Sequence, residues 1–99
     1  MKILPTTCPA CSSELEVITL VCEQCKTEIQ GRYQLPPLVS LSPDEQSFIV
    51  DFIKASGSLK EMAKLLGLSY PTVRNRLDEI IERVKQAENA YQTDRKEEP

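Results

Sequence analysis

The chain has 99 residues, 40% of them apolar and 5% aromatic, with a formal net charge of −3 and no histidine. That length holds one domain or two very small ones, and no apolar run is long enough to cross a bilayer. Without histidine there is no Ser-His or Cys-His nucleophile pair, and three glycines form no phosphate-cradling pattern, so catalysis is not expected.

All four cysteines fall in the first 25 positions, as Cys8-Pro-Ala-Cys11 and Cys22-Glu-Gln-Cys25, with ten residues between the pairs. Each C-x-x-C places two sulfurs at one tight turn, and two such turns facing each other make a tetrahedral site. Cys8, Cys11, Cys22 and Cys25 are therefore the expected ligands of one structural Zn²⁺ per chain. Iron accepts the same ligands, and a redox pair is a third reading. A fully ligated Cys₄ zinc has no open position for water or substrate, which makes its role structural. Disulfides would need an oxidising compartment, and no signal-like apolar segment follows Met1–Pro5, so a cytoplasmic protein with reduced thiols is expected. A module of about 35 residues cannot hold itself together by burial alone. Structural zinc can supply what is missing, about 10–16 kcal/mol in small peptides.

Glu14–Val21 is β-branched and alternating and reads as a strand entering the second cysteine turn. Thr27–Leu35 reads as its partner, with Ile29, Tyr33 and Leu35 on one face and Gly31 as a bulge or crossing point. Ser12 and Lys26 follow the two cysteine turns, where glycine would suit the sharp backbone bend. Residues 1–35 thus form a zinc-ribbon hairpin. Leu35-Pro-Pro-Leu38 is extended by proline sterics and predicts a stiff linker over 36–41.

Beyond the linker the apolar period changes from two to 3.6. Ser42-Pro43-Asp44-Glu45 is a capping box with proline in the first turn, and Phe48, Ile49, Phe52 and Ile53 form the stripe of a helix ended by Gly57. Ser58 caps a second helix with Leu59, Met62, Ala63 and Leu66 inward, stopped by Gly67. Ser69 caps a third with Val73, Leu77, Ile80 and Val84 inward. Three helices with a tight glycine turn between the last two make a helix-turn-helix, so the whole chain is predicted to be small α+β.

The stretch Gly57-Ser-Leu-Lys-Glu-Met-Ala-Lys-Leu-Leu-Gly-Leu-Ser-Tyr-Pro-Thr-Val-Arg-Asn-Arg-Leu77 resembles the Fis-type helix-turn-helix of bacterial DNA-binding proteins. The full chain is similar to a prokaryotic family of zinc-ribbon plus helix-turn-helix proteins classified as a domain of unknown function. The family resemblance implies the architecture and little about activity; the helix-turn-helix resemblance, with the outward face of the third helix, implies a transcription-regulating DNA binder with double-stranded DNA as partner. In such a motif the second paired helix enters the major groove. Its outward set is Tyr70, Thr72, Arg74, Asn75 and Arg76, where arginine suits guanine and asparagine adenine. Ser58, Lys60, Lys64 and Ser69 are placed to hold phosphates.

Charge pulls both ways. Lys60, Lys64, Arg74 and Arg76 against Glu61 give segment 58–76 a net +3, while 1–41 carries −1, 42–57 carries −2 and 77–99 carries −3. Four thiolates (−4) and one Zn²⁺ (+2) would take the chain from −3 to −5. A single copy should therefore bind DNA weakly. The repeat Leu77, Ile80, Val84, Ala87, Tyr91, widened by Ile81, has a/d spacing and offers a homodimer seam, or else a stripe that packs within the chain. The helix-turn-helix domain is read over 42–91, and 92–99 as a charged disordered tail. A zinc-stabilised protein-interaction adaptor is the alternative function.

Overall fold

The computed structural model describes residues 2–95, with side chains described as far as Tyr91. Strands β1 (Val17–Val21) and β2 (Glu28–Tyr33) form a hairpin, followed by helices α1 (Pro43–Lys54), α2 (Leu59–Leu66) and α3 (Tyr70–Arg95). The chain is small α+β, as its sequence predicts.

The hairpin is antiparallel, with Leu20 opposite Ile29 and Val21 opposite Glu28. Val17 pairs with Tyr33 and Thr19 with Gln30, so β2 carries one extra residue at Gly31–Arg32. Glycine there matches the bulge read from the sequence, and a Cβ on Gly31 would lie 3.0 Å from the Tyr33 ring. The bulge has a consequence that period-two counting missed. Directly paired residues share a face, and Leu20 and Val17 sit an odd number of residues apart. Ile29 and Tyr33 therefore lie on opposite faces, not on one. Glu14 falls outside β1, in an isolated bridge with Thr7.

The Pro-Pro segment bends instead of remaining stiffly extended. Val39 N–H and Ser40 N–H both donate to Pro36 O, a turn that Pro37 favours through its fixed φ. Gln46 then ties the segment to α1 by donating to Val39 O and Leu41 O at 3.1 and 2.8 Å.

Both halves of the capping box on α1 form: Glu45 N–H donates to Ser42 Oγ, and Glu45 Oε1 accepts from Ser42 N–H. α1 ends on two successive left-handed residues, Ser56 (φ 58) and Gly57 (φ 77), so the turn begins one residue before the glycine expected to make it. α2 closes on Gly67 at φ 68, with Leu68 N–H reaching back to Ala63 O. Ser69 caps α3: its Oγ accepts from Thr72 N–H, and its carbonyl accepts from Val73 N–H.

Leu41, Phe48, Met62, Val73 and Ile80 make the core, with Ile49, Phe52, Ala55, Leu59, Ala63, Leu66, Leu77 and Val84 packed against it. Ile53, expected inward, is 68% exposed. It lies about 100° around the helix from Phe52, beyond the stripe that Phe48 and Phe52 point at α2 and α3.

The stripe read as a dimer seam is largely used within the chain. Ile80 belongs to the buried core, and Leu77 and Val84 pack on it. Ala87 and Tyr91 are half-buried, Ala87 in a crevice with Ser40 and Leu41, Tyr91 in one with Leu15 and Leu35. Only Ile81 of that set is exposed. The three-four spacing is thus explained by packing against α1, the 36–41 turn and the ribbon, with no second copy needed. The helix of α3 also runs through 92–95, which were read as tail. No breaker stands there, the next proline being Pro99. Residues 96–99 lie outside the described residues.

Candidate metal centre and nucleic-acid interface

Each cysteine pair sits on a closed turn. Cys8 N–H donates to Ser13 O and Ser12 N–H to Cys8 O, while Cys22 N–H donates to Thr27 O and Lys26 N–H to Cys22 O. The two turns superpose in pattern, and each ends on a left-handed residue at φ 64, Ser12 in the first and Lys26 in the second. The sharp bend read from sequence is present, made by side-chain-bearing residues at a conformational cost. Lys26→Gly removes that cost and adds back some chain entropy, for a net gain of about 0.5–1 kcal/mol. The check is a thermal melt of the metal-loaded protein, whose midpoint should rise.

All four thiols are free, and only Cys8 is partly covered. The Cys25 thiol is pulled down to about 7 by the Thr27 hydroxyl 3.1 Å away and the Thr27 backbone, with Cys22 assisting. Cys11 is lowered by the Ser13 side chain and backbone and by Cys8. Lowered thiols favour the thiolate, which is the form that ligates metal. Ala10 N–H also points at Cys8 Sγ, at 3.4 Å. The structure gathers the cysteines pairwise. Among the described residues no three or more Cys, Asp or Glu side chains converge on one point. The donor set nevertheless fits a soft divalent ion: four sulfurs, two per turn, with N–H and O–H groups donating to sulfur and no competing imidazole.

The proposed reading face divides into parts. Lys60, Tyr70, Thr72 and Asn75 are exposed and make no ion pair among the described residues. Lys64 lies 3.8 Å from Glu61, and Arg74 Nε lies 3.3 Å from Asp78 one turn along. Ser58 and Ser69, expected at phosphates, are occupied as caps: Ser58 Oγ accepts from Glu61 N–H, and Ser69 Oγ also bonds the Thr72 hydroxyl at 2.8 Å.

Arg76 is exposed like Asn75, but its side chain leans towards α1. Its guanidinium carbon lies 5.4 Å from the Phe48 ring centroid, covering the edge of the core from the α1 side. Arg74 and Arg76 are two positions apart, which puts them about 200° apart around a helix. Beyond Arg76 the exposed residues are mixed in charge: Asp78, Glu79 and Glu82 are joined by Arg83 and Lys85, which pair with Glu45 and Glu82.

One contact escaped the sequence reading altogether. Glu45, seen only as a capping residue, also forms an ion pair with Arg83, Nε to Oε2 2.7 Å, and is 14% exposed. Its two carboxylate oxygens thereby fasten the start of α1 to the middle of α3. The glutamate was legible as a cap because caps are local, while Arg83 is 38 positions away and carried no signal pointing back.

No curated protein and no solved structure matches the chain. Two family models do: the DUF2089 zinc ribbon over residues 8–39, and the domain of unknown function (DUF2089)-HTH over residues 41–87. No helix among the described residues is long and apolar enough to cross a membrane. The two matches follow one another along most of the chain, holding both cysteine turns and all of the three-helix core, and the protein belongs to this zinc-ribbon and helix-turn-helix family.

Proposed function

We propose that this protein is a non-catalytic, double-stranded-DNA-binding regulator that reads DNA with the first two turns of α3, while one Zn²⁺ held by Cys8, Cys11, Cys22 and Cys25 folds the ribbon. The observation that carries the reading is the exposed set Tyr70, Thr72, Arg74 and Asn75 at the start of α3, next to α2 with its exposed Lys60 and Lys64. Those residues supply base-edge and phosphate contacts respectively. Zinc is preferred over iron because the family model that matches residues 8–39 is a zinc ribbon. Four thiol ligands suit a reducing compartment such as the cytoplasm. Pairing of two copies on a duplex would need a surface other than the stripe used inside the chain.

The test is a salt series of binding to random duplex. Two phosphate-facing cations, Lys60 and Lys64, predict that log K falls against log salt with a slope of about −2. Lys60→Ala with Lys64→Ala should flatten that slope by roughly two, whatever the DNA sequence. Arg74→Ala should cost on the order of 1–3 kcal/mol on a selected site. Affinity independent of salt and of Arg74 would sink the DNA reading.

A second reading, protein docking through the ribbon, is favoured by the hairpin face that shows Ile18, Leu20 and Ile29 to solvent, Ile18 at 61%. Ile18→Ser should leave the salt series unchanged, which separates the two surfaces.

A further inference from the structure

Helix α3 is longer than its own domain requires. Val73, Leu77, Ile80 and Val84 complete the three-helix core, and a helix ending just past Val84 would bury all of them. Beyond that point the helix lines a crevice together with ribbon residues. Ala90 and Tyr91 form one wall of a crevice whose other wall is Leu15 and Leu35, with Glu14 and Gln34 at its edges. Leu35 is only 5% exposed, yet it stands outside the helical core cluster. It is the one buried apolar residue of the ribbon among the described residues. Leu15 lies two positions before β1 and Leu35 two positions after β2. Both are therefore positioned by the hairpin whose turn carries Cys22 and Cys25.

We infer that metal occupancy of the ribbon is energetically coupled to the C-terminal half of α3 through the crevice that Leu15 and Leu35 share with Ala90 and Tyr91. The coupling rests on the proposed metal site and adds regulation to it. A ribbon that folds around metal presents Leu15 and Leu35 together; an unfolded ribbon does not. The free energy of seating them on α3 is then part of the metal-binding free energy. Linkage is reciprocal, so weakening the seat on α3 must weaken metal binding by the same factor by which metal strengthens the seat. α3 is one continuous helix from Tyr70 to Arg95, with no glycine and its single proline in the first turn. The state of the ribbon is in this way communicated to the element that carries Arg74 and Asn75.

The experiment is a competition titration of zinc between the full-length chain and a chromophoric chelator. Tyr91→Ala is expected to bind zinc about tenfold more weakly, within the usual range of coupling between sites. Tyr91→Phe keeps the ring and should stay near the wild type. Asn89→Ala, exposed on the same helix and outside the crevice, should not change affinity. In the wild type, chelation should also speed amide exchange over residues 85–91, a readout that needs no DNA. Wild-type zinc affinity in Tyr91→Ala, or unchanged exchange at 85–91, overturns the coupling. A wild type that takes up no zinc overturns the metal reading itself, and the coupling with it.

Discussion

Stripping metal from the full chain is expected to collapse the ribbon while the three helices stay folded. The hairpin has little else to hold it. Ile18, Leu20, Val21 and Ile29 are all exposed, Leu35 alone is buried, and the sheet has only two strands. An isolated two-stranded hairpin is marginal in water. The Glu16–Arg32 pair, at 2.9 Å, bridges the two sides of the hairpin but is largely solvated and adds little. Structural zinc contributes about 10–16 kcal/mol in peptides of this size, far more than any other term available here. In an amide correlation spectrum, a chelator should erase the dispersed resonances of residues 8–33 and leave those of 43–84 in place. Cys22→Ser should do the same without chelator, and acid should follow, since protons compete with metal for the thiolates. A dispersed ribbon spectrum that survives chelation would show that the cysteine turns fold unaided.

The second large effect is expected in the helical core. Met62→Ala should lower stability by about 2–5 kcal/mol, the range for truncating a fully buried aliphatic side chain. Met62 and Val73 are both 0% exposed and sit where α2 crosses α3. For a domain this small the loss corresponds to a fall in Tm on the order of 8–40 °C. Ile53→Ala is the matched control, since that side chain is mostly solvated and should shift stability by no more than about 0.5 kcal/mol. Equal melting shifts for the two variants would mean that the core is not centred on Met62.

What could be read from the residues was whatever depends on near neighbours. A cap needs a hydroxyl and the amides two or three positions on, so Ser42, Ser58 and Ser69 announced three helix starts. A left-handed stop favours glycine, and Gly67 supplied one. The cysteine turns needed only a two-residue gap. Even the strained bends at Ser12 and Lys26 were visible as places where a glycine would have suited better. These features follow from covalent spacing, which a linear chain states outright.

Errors arose where a residue had to choose between partners far away. Counting by two placed Ile29 with Tyr33, and a single extra residue at Gly31–Arg32 put them on opposite faces. Counting by three and four found the stripe from Leu77 to Tyr91 but could not say what covers it, because a second helix, a ribbon and a second copy all present the same apolar chemistry. Arg76 looked like a neighbour of Arg74 on the reading face until Phe48 was seen beneath it. Glu45 gave no hint of Arg83.

The sequence by itself determined that the chain is a cysteine-turn hairpin followed by three capped helices, since those depend on spacing, period and local hydrogen bonds. The tertiary structure decided which faces remain available: Arg74 and Asn75 outward, Arg76 over the core edge, and the far end of α3 against the ribbon. Burial is a property of two surfaces meeting, and only one of them is ever adjacent in sequence.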